Sequence, residues 1–71
     1  MNILKGDEKQ QMIDLLVDQH IERIVRDRPA SISTQTMDYQ VRNALLNELA
    51  ARLIFAEWDG KRIKLLYIPE E

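Results

Sequence analysis

Asp59-Gly60 lies between two apolar runs, and this dipeptide constrains the fold more than any other feature of the chain. The stretch from Ala50 to Trp58 precedes it, and Lys61 to Ile68 follows. Asp-Gly flanked this way is a strong short-range hairpin signal. A two-residue turn needs positive φ at both positions, which Gly accepts freely and Asp tolerates. A hairpin over about 53–58 and 61–68 follows.

Side-chain pairing supports that reading. With a two-residue loop, Trp58 faces Lys61, Glu57 faces Arg62, Ala56 faces Ile63 and Ile54 faces Leu65. One face then gathers Ile54, Ala56, Trp58, Ile63, Leu65 and Tyr67. The other sets opposite charges side by side at Glu57 and Arg62. The competing reading runs the preceding helix on to Trp58, with Gly60 as its left-handed cap. The paired faces favour a helix that stops near Arg52. Pro69 ends the second strand.

The region before the hairpin reads as helical. Ile13, Leu16, Val17, Ile21 and Ile24 recur at helical spacing, flanked by Met12, Leu15 and Val25. Asp7 and Gln10 form a capping-box-like pair at the start. Pro29 stops the helix by disfavouring helical geometry at Arg28. A first helix over about 8–26 results. Pro29 to Thr34 reads as a loop, with Ile32 reaching into the core. Ser33, Thr34 or Thr36 can cap a second helix over about 36–52, and Asp38 suits its first turn. That helix carries Met37, Val41, Ala44, Leu45, Leu49 and Leu53 on one face. The expected fold class is α+β: two antiparallel helices followed by a C-terminal β-hairpin, in one small domain spanning residues 1–71.

At 71 residues without cysteine, neither disulfides nor thiolate metal sites can supplement a small core. Self-association remains, and a homodimer is the expectation. The strand residues Leu65, Leu66, Tyr67 and Ile68 are apolar on both faces, so they are the candidate strand edge at which two copies pair. No run approaches the ~20 apolar residues that span a bilayer, and the first residues lack a secretory apolar core. The cytoplasm is the expected compartment, with no membrane partner.

Catalytic patterns are missing. Only two glycines occur, which leaves no glycine-rich phosphate loop, and no HExxH, GxSxG or cysteine nucleophile is present. His20 stands alone at the edge of the apolar stripe, with Asp18 and Glu22 pointing elsewhere, so it reads as a boundary histidine. No enzyme activity, cofactor or metal is expected.

Two binding surfaces stand out. Asp14, Asp18 and Glu22 repeat every four residues along the outer face of the first helix. They are the candidate face for a protein partner of unknown identity, and a small adaptor or regulator acting through protein–protein contact is the first functional expectation. The second surface lies on the polar side of the second helix. Gln40, Asn43 and Asn47 are there, and Asn and Gln can read adenine in a major groove. Arg42 and Arg52, with Lys61, Arg62 and Lys64 near the hairpin turn, can hold phosphates. A polar helix face followed by a basic-tipped hairpin resembles the C-terminal half of winged-helix DNA-binding domains. The stretch that carries it runs from Leu45-Leu46-Asn47-Glu48-Leu49 through Asp59-Gly60-Lys61-Arg62 to Tyr67, about 30 residues. The resemblance implies a DNA-binding transcriptional regulator as the alternative function. The chain departs from the pattern by leaving little room for a short helix before the second helix. A net charge of −2 also runs against a dedicated nucleic-acid binder. The nucleic-acid reading requires that the second helix end near Arg52 and that its polar face be open to solvent.

Overall fold

A computed structural model describes the backbone of residues 4–70 and the side chains of residues 8–70. Its elements run α1 (Leu4–Asp27), β1 (Ser31–Ser33), α2 (Tyr39–Ala51), β2 (Phe55–Trp58) and β3 (Arg62–Tyr67). The α+β class holds. The sheet, however, has three antiparallel strands in the order β1-β3-β2, where the sequence reading gave a lone hairpin. The helices pack on each other, and α2 also packs on β2.

The core follows the helical spacing. Val17, Ile21 and Ile24 of α1 meet Val41, Leu45 and Leu49 of α2, with Ile54, Ile63 and Ile68 from the sheet side. α1 begins at Leu4, earlier than expected, so Asp7 is inside the helix and does not cap it. The Asp7 side chain lies outside the described residues. The cap of α2 is Asp38, two to five residues later than the serine and threonine candidates. Its carboxylate accepts from the Gln40 N–H at 2.7 Å.

The end of α2 explains how the helix gives way to the strand. Arg52 is the C-cap, and Leu53 follows in the left-handed region at φ 62°. The Leu53 N–H donates to the Ala50 carbonyl at 3.1 Å, and the Ile54 N–H reaches back to Leu49 at 2.9 Å. This is the Schellman arrangement, which glycine usually serves. It buries Ile54 beside the core and turns Leu53 outward, 66% exposed. Leu53 therefore does not share the buried face of α2, contrary to its place in the periodicity.

The segment read as a loop contains β1. Ser31, Ile32 and Ser33 pair with Lys64, Ile63 and Arg62. Ile32 packs against the core as expected. This pairing makes β3 the central strand over Arg62–Lys64; β1 does not extend along Leu65, Leu66, Tyr67 and Ile68, the candidate strand edge, where only the Leu65 N–H is met, by the Ala30 carbonyl. The other hairpin edge belongs to β2. Beyond β1, the Arg28 guanidinium donates to the Ile68 and Pro69 carbonyls.

The hairpin register differs too. Trp58 faces Ile63, Glu57 faces Lys64 and Ala56 faces Leu65, a displacement of two residues from the two-residue-loop alignment. The Asp59 carboxylate accepts from the Lys61 and Arg62 N–H groups at 2.9 and 2.8 Å, which folds Asp59 to Arg62 into the turn. Gly60 takes φ 100°. A displacement of two preserves side-chain parity. Ile63, Leu65 and Ala56 therefore still face the helices, and Glu57 still opposes a cation. Parity fails further along, because a bulge between Phe55 and Ala56 leaves Leu66 as the extra residue. Tyr67 is turned out of the inner face. It pairs instead with Phe55, ring centroids 5.7 Å apart.

Candidate nucleic-acid interface

Three elements meet at the turn end of the hairpin: the end of β1, the first half of α2 and the β2–β3 turn. Between them is a cleft of about 550 Å3, lined by Ser33, Thr34, Gln35, Arg42, Trp58, Gly60, Lys61 and Arg62. Three of those residues are cationic and none is acidic.

Hydrogen bonds hold the walls together. The Trp58 indole N–H donates to Thr34 Oγ1 at 3.0 Å. Thr34 Oγ1 donates in turn to the Lys61 carbonyl at 2.9 Å, and the Thr34 N–H donates to that same carbonyl. Thr34 is buried, so this relay fixes the β1–α2 connection against the turn. Arg62 Nε donates across the sheet to Ser31 Oγ at 2.9 Å.

Arg42 is half-buried because its guanidinium lies over the Trp58 ring, 3.9 Å from the centroid. Such stacking favours arginine over lysine, since the flat, weakly hydrated fork can cover an aromatic face while keeping its N–H groups available. Two of those donors hold Asn43 Oδ1, at 3.1 and 3.3 Å. The ring thus orients Arg42, and Arg42 orients Asn43. The arrangement presents fixed donors and positive charge, which suits a phosphate or another anion.

The sequence-derived site residues divide on this geometry. Arg42 and Lys61 come together at the cleft, with Asn43 attached through Arg42, while Arg62 borders it with its guanidinium held to Ser31 Oγ on the outer sheet face. Asn47 is exposed one turn further along α2, and Tyr39 is exposed at the start of the same helix. Gln40 does not join them. It lies half-buried toward α1, in a depression shared with Met12 and Ile13. Lys64 stands on the outer sheet face, opposite Glu57 and 3.8 Å from an Asp59 carboxylate oxygen. Trp58 and Thr34 were not assigned to this site from sequence. The signal was the position of Trp58 as the last residue of β2, on the same side of the sheet as the helices. That places its ring beneath α2.

Elsewhere, Asp14, Asp18 and Glu22 are all exposed on α1, and Asp14 accepts from Gln10 Nε2 at 3.0 Å. His20 is half-buried. Desolvation and the nearby Arg23 hold its pKa below the usual imidazole value. Among the described residues, no group of His, Asp or Glu side chains is arranged to hold a metal, and no helix is long and apolar enough to cross a membrane.

No family model, curated protein or solved structure matches the chain.

Proposed function

We propose that the chain binds nucleic acid, as a winged-helix-like DNA-binding regulator acting in the cytoplasm. The outer face of α2 lies against the duplex, and the hairpin turn lies on its backbone. The observation that carries this reading is the cleft lined by Arg42 and Lys61 and bordered by Arg62, with no carboxylate in its lining, beside exposed Asn43 and Asn47. Both geometric requirements are met: α2 ends at Ala51, and its Asn43–Asn47 face is open. Asn43 and Asn47 contact bases, while Arg42, Lys61 and Arg62 contact phosphates. Thr34 to Met37 is a turn, so the chain lacks the short helix that the winged-helix pattern sets before the second helix, and the Thr34–Trp58 hydrogen bond holds this connection. The net negative charge is concentrated outside the site. Asp14, Asp18 and Glu22 sit on α1, which contributes nothing to the cleft.

Fluorescence anisotropy with mixed-sequence duplex DNA tests the reading. Binding should weaken steeply with salt. Each neutralised phosphate contributes about −0.9 to the log–log slope, so three cations give a slope near −3. Arg62→Glu should reduce affinity at least tenfold. Absence of binding at low salt would remove the reading.

A second reading keeps the acidic ridge as the docking face of a protein–protein adaptor. It is supported by Leu15, which is large, exposed and on the same helix face as Asp18 and Glu22, about one turn from the first and two from the second. Charge reversal at Asp14, Asp18 and Glu22 together should abolish capture of a basic partner. Capture that survives reversal would sink it.

A further inference from the structure

The hairpin end remote from the turn has a different character. Leu53, Phe55, Leu66 and Tyr67 are 66, 59, 63 and 55% exposed. Beside them an apolar groove of about 300 Å3 runs between α2 and β2, with Leu46, Ala50 and Leu66 among its walls. β2 pairs only with β3, so its other edge has no strand partner among the described residues.

We propose that this surface is the interface between two copies of the chain, joined by antiparallel pairing of β2 with its own copy. An isologous contact of this kind closes as a two-fold dimer. The exposed area fits that occupant. Large side chains present ~150–250 Å2 each when free, so more than half of four of them is on the order of 400 Å2. Two such patches, with the strand backbone and the groove walls, come to about 1,000 Å2, where specific interfaces begin. A patch of this size is comparable with the largest apolar patch of a typical monomer, about 300–600 Å2, which often marks a functional surface.

One register of this pairing holds the like charges apart. Placing Ala56 on the axis sets Phe55 opposite the other copy's Glu57 and keeps the two Glu57 carboxylates apart. It leaves the small Ala56 side chain where the helix-side surfaces must approach, so that Leu66 and Leu46 of each copy fill the other's groove. The local backbone serves this display. The left-handed turn at Leu53 and the bulge at Leu66 each present an apolar side chain that a regular helix or strand would have turned elsewhere. The opposite sheet edge is unsuited to such pairing. β1 is three residues long, alternates serine with isoleucine, and follows shortly after Pro29.

Sedimentation equilibrium of the full chain over 5–500 µM gives the test. The wild type should run at about twice the 8.4 kDa chain mass. Leu66→Lys and Phe55→Lys, each checked for native circular dichroism, should raise the dissociation constant at least tenfold. Both side chains are exposed, so at least one variant should fold. A wild type that stays monomeric at 500 µM, or forms a higher oligomer, overturns the proposal. So does a dimer that persists in a folded variant. The outcome is independent of DNA binding, which is read on separate residues.

Discussion

The two ends of the β2–β3 hairpin are built on opposite principles. At the turn end, Asp59, Thr34, Ser31 and Trp58 are tied by directional hydrogen bonds, and cations (Lys61, Arg62, Lys64) surround the exposed Asp59 carboxylate. At the open end, the side chains are apolar, and their display depends on backbone irregularity at Leu53 and Leu66. The first end is rigid before any ligand arrives and suits a charged partner whose binding falls with salt. The second lacks polar anchors and suits a partner that supplies shape and apolar area. A 71-residue chain thus separates the two proposed binding surfaces along one supersecondary unit, with Ile63 buried between them.

The comparison can be broken most severely from beneath. Ile63 is fully buried, pairs with both Ile32 and Trp58, and belongs to the strand common to both ends. Ile63→Ala should cost about 2–5 kcal/mol, a large share of the 5–15 kcal/mol typical of a domain. Urea unfolding should show the midpoint fall, with both ends lost together. Loss at only one end would mean that the hairpin is not a single cooperative unit.

A smaller effect isolates the turn end. Trp58→Phe keeps an aromatic ring under Arg42 but deletes the indole N–H that meets Thr34 Oγ1. The loss should be about 1 kcal/mol, the usual net worth of one such hydrogen bond. Thr34→Val should cost more, because it also removes the bond to the Lys61 carbonyl. Equal stability for wild type and Trp58→Phe would show that the relay is not what positions the turn.

At the open end the expected sign reverses. A leucine in the left-handed region is strained relative to glycine, so Leu53→Gly should raise stability by about 1 kcal/mol. It should also remove apolar area from the proposed dimer surface. An unchanged or lowered thermal midpoint at a concentration where the chain is monomeric would contradict the assignment of strain to Leu53.

The smallest effect is on pH dependence. N–H groups of Arg62 and Lys61 hold the Asp59 pKa below its ordinary 3.8. The depressed value means that its contribution is complete above the unfolded pKa and is lost as pH falls through the folded one. Asp59→Asn should therefore show a shallower decline in thermal midpoint between pH 5 and pH 2 than wild type. His20 acts in a higher window. Its lowered pKa favours the neutral form in the fold, so stability is complete above pH 6.5 and declines as pH falls through the lowered value. His20→Gln should flatten that decline.

Much of this organisation was legible in the residues, and the exceptions have physical causes. The helical core positions and the end of α2 followed from apolar spacing and from cross-strand complementarity. β1 was hidden because three residues carry almost no pattern, and its partner lies about 30 positions away. The turn was misread by two residues because the Asp59 carboxylate reorganises the loop. Parity survived that shift, so the faces of Ile63 and Lys64 were still read correctly. It did not survive the bulge, so Tyr67 was assigned inward when it points out. The cations around the turn were recognisable as a group, yet the Arg42–Trp58 stack needs a tertiary contact that no local pattern encodes. Gln40 was drawn into the polar face of α2, although it sits on the side that α1 covers.

The most direct test of the turn end as a nucleic-acid surface is a heteronuclear NMR titration of the chain with a short duplex at low salt. The predicted shifts are confined to the amides of Thr34, Gln35, Arg42, Asn43, Lys61 and Arg62 and to the Trp58 indole N–H. The resonances of Leu53 to Ala56 and of the Asp14–Glu22 ridge should stay in place. Shifts centred on the ridge or the open end, or no shifts at all, would contradict the account.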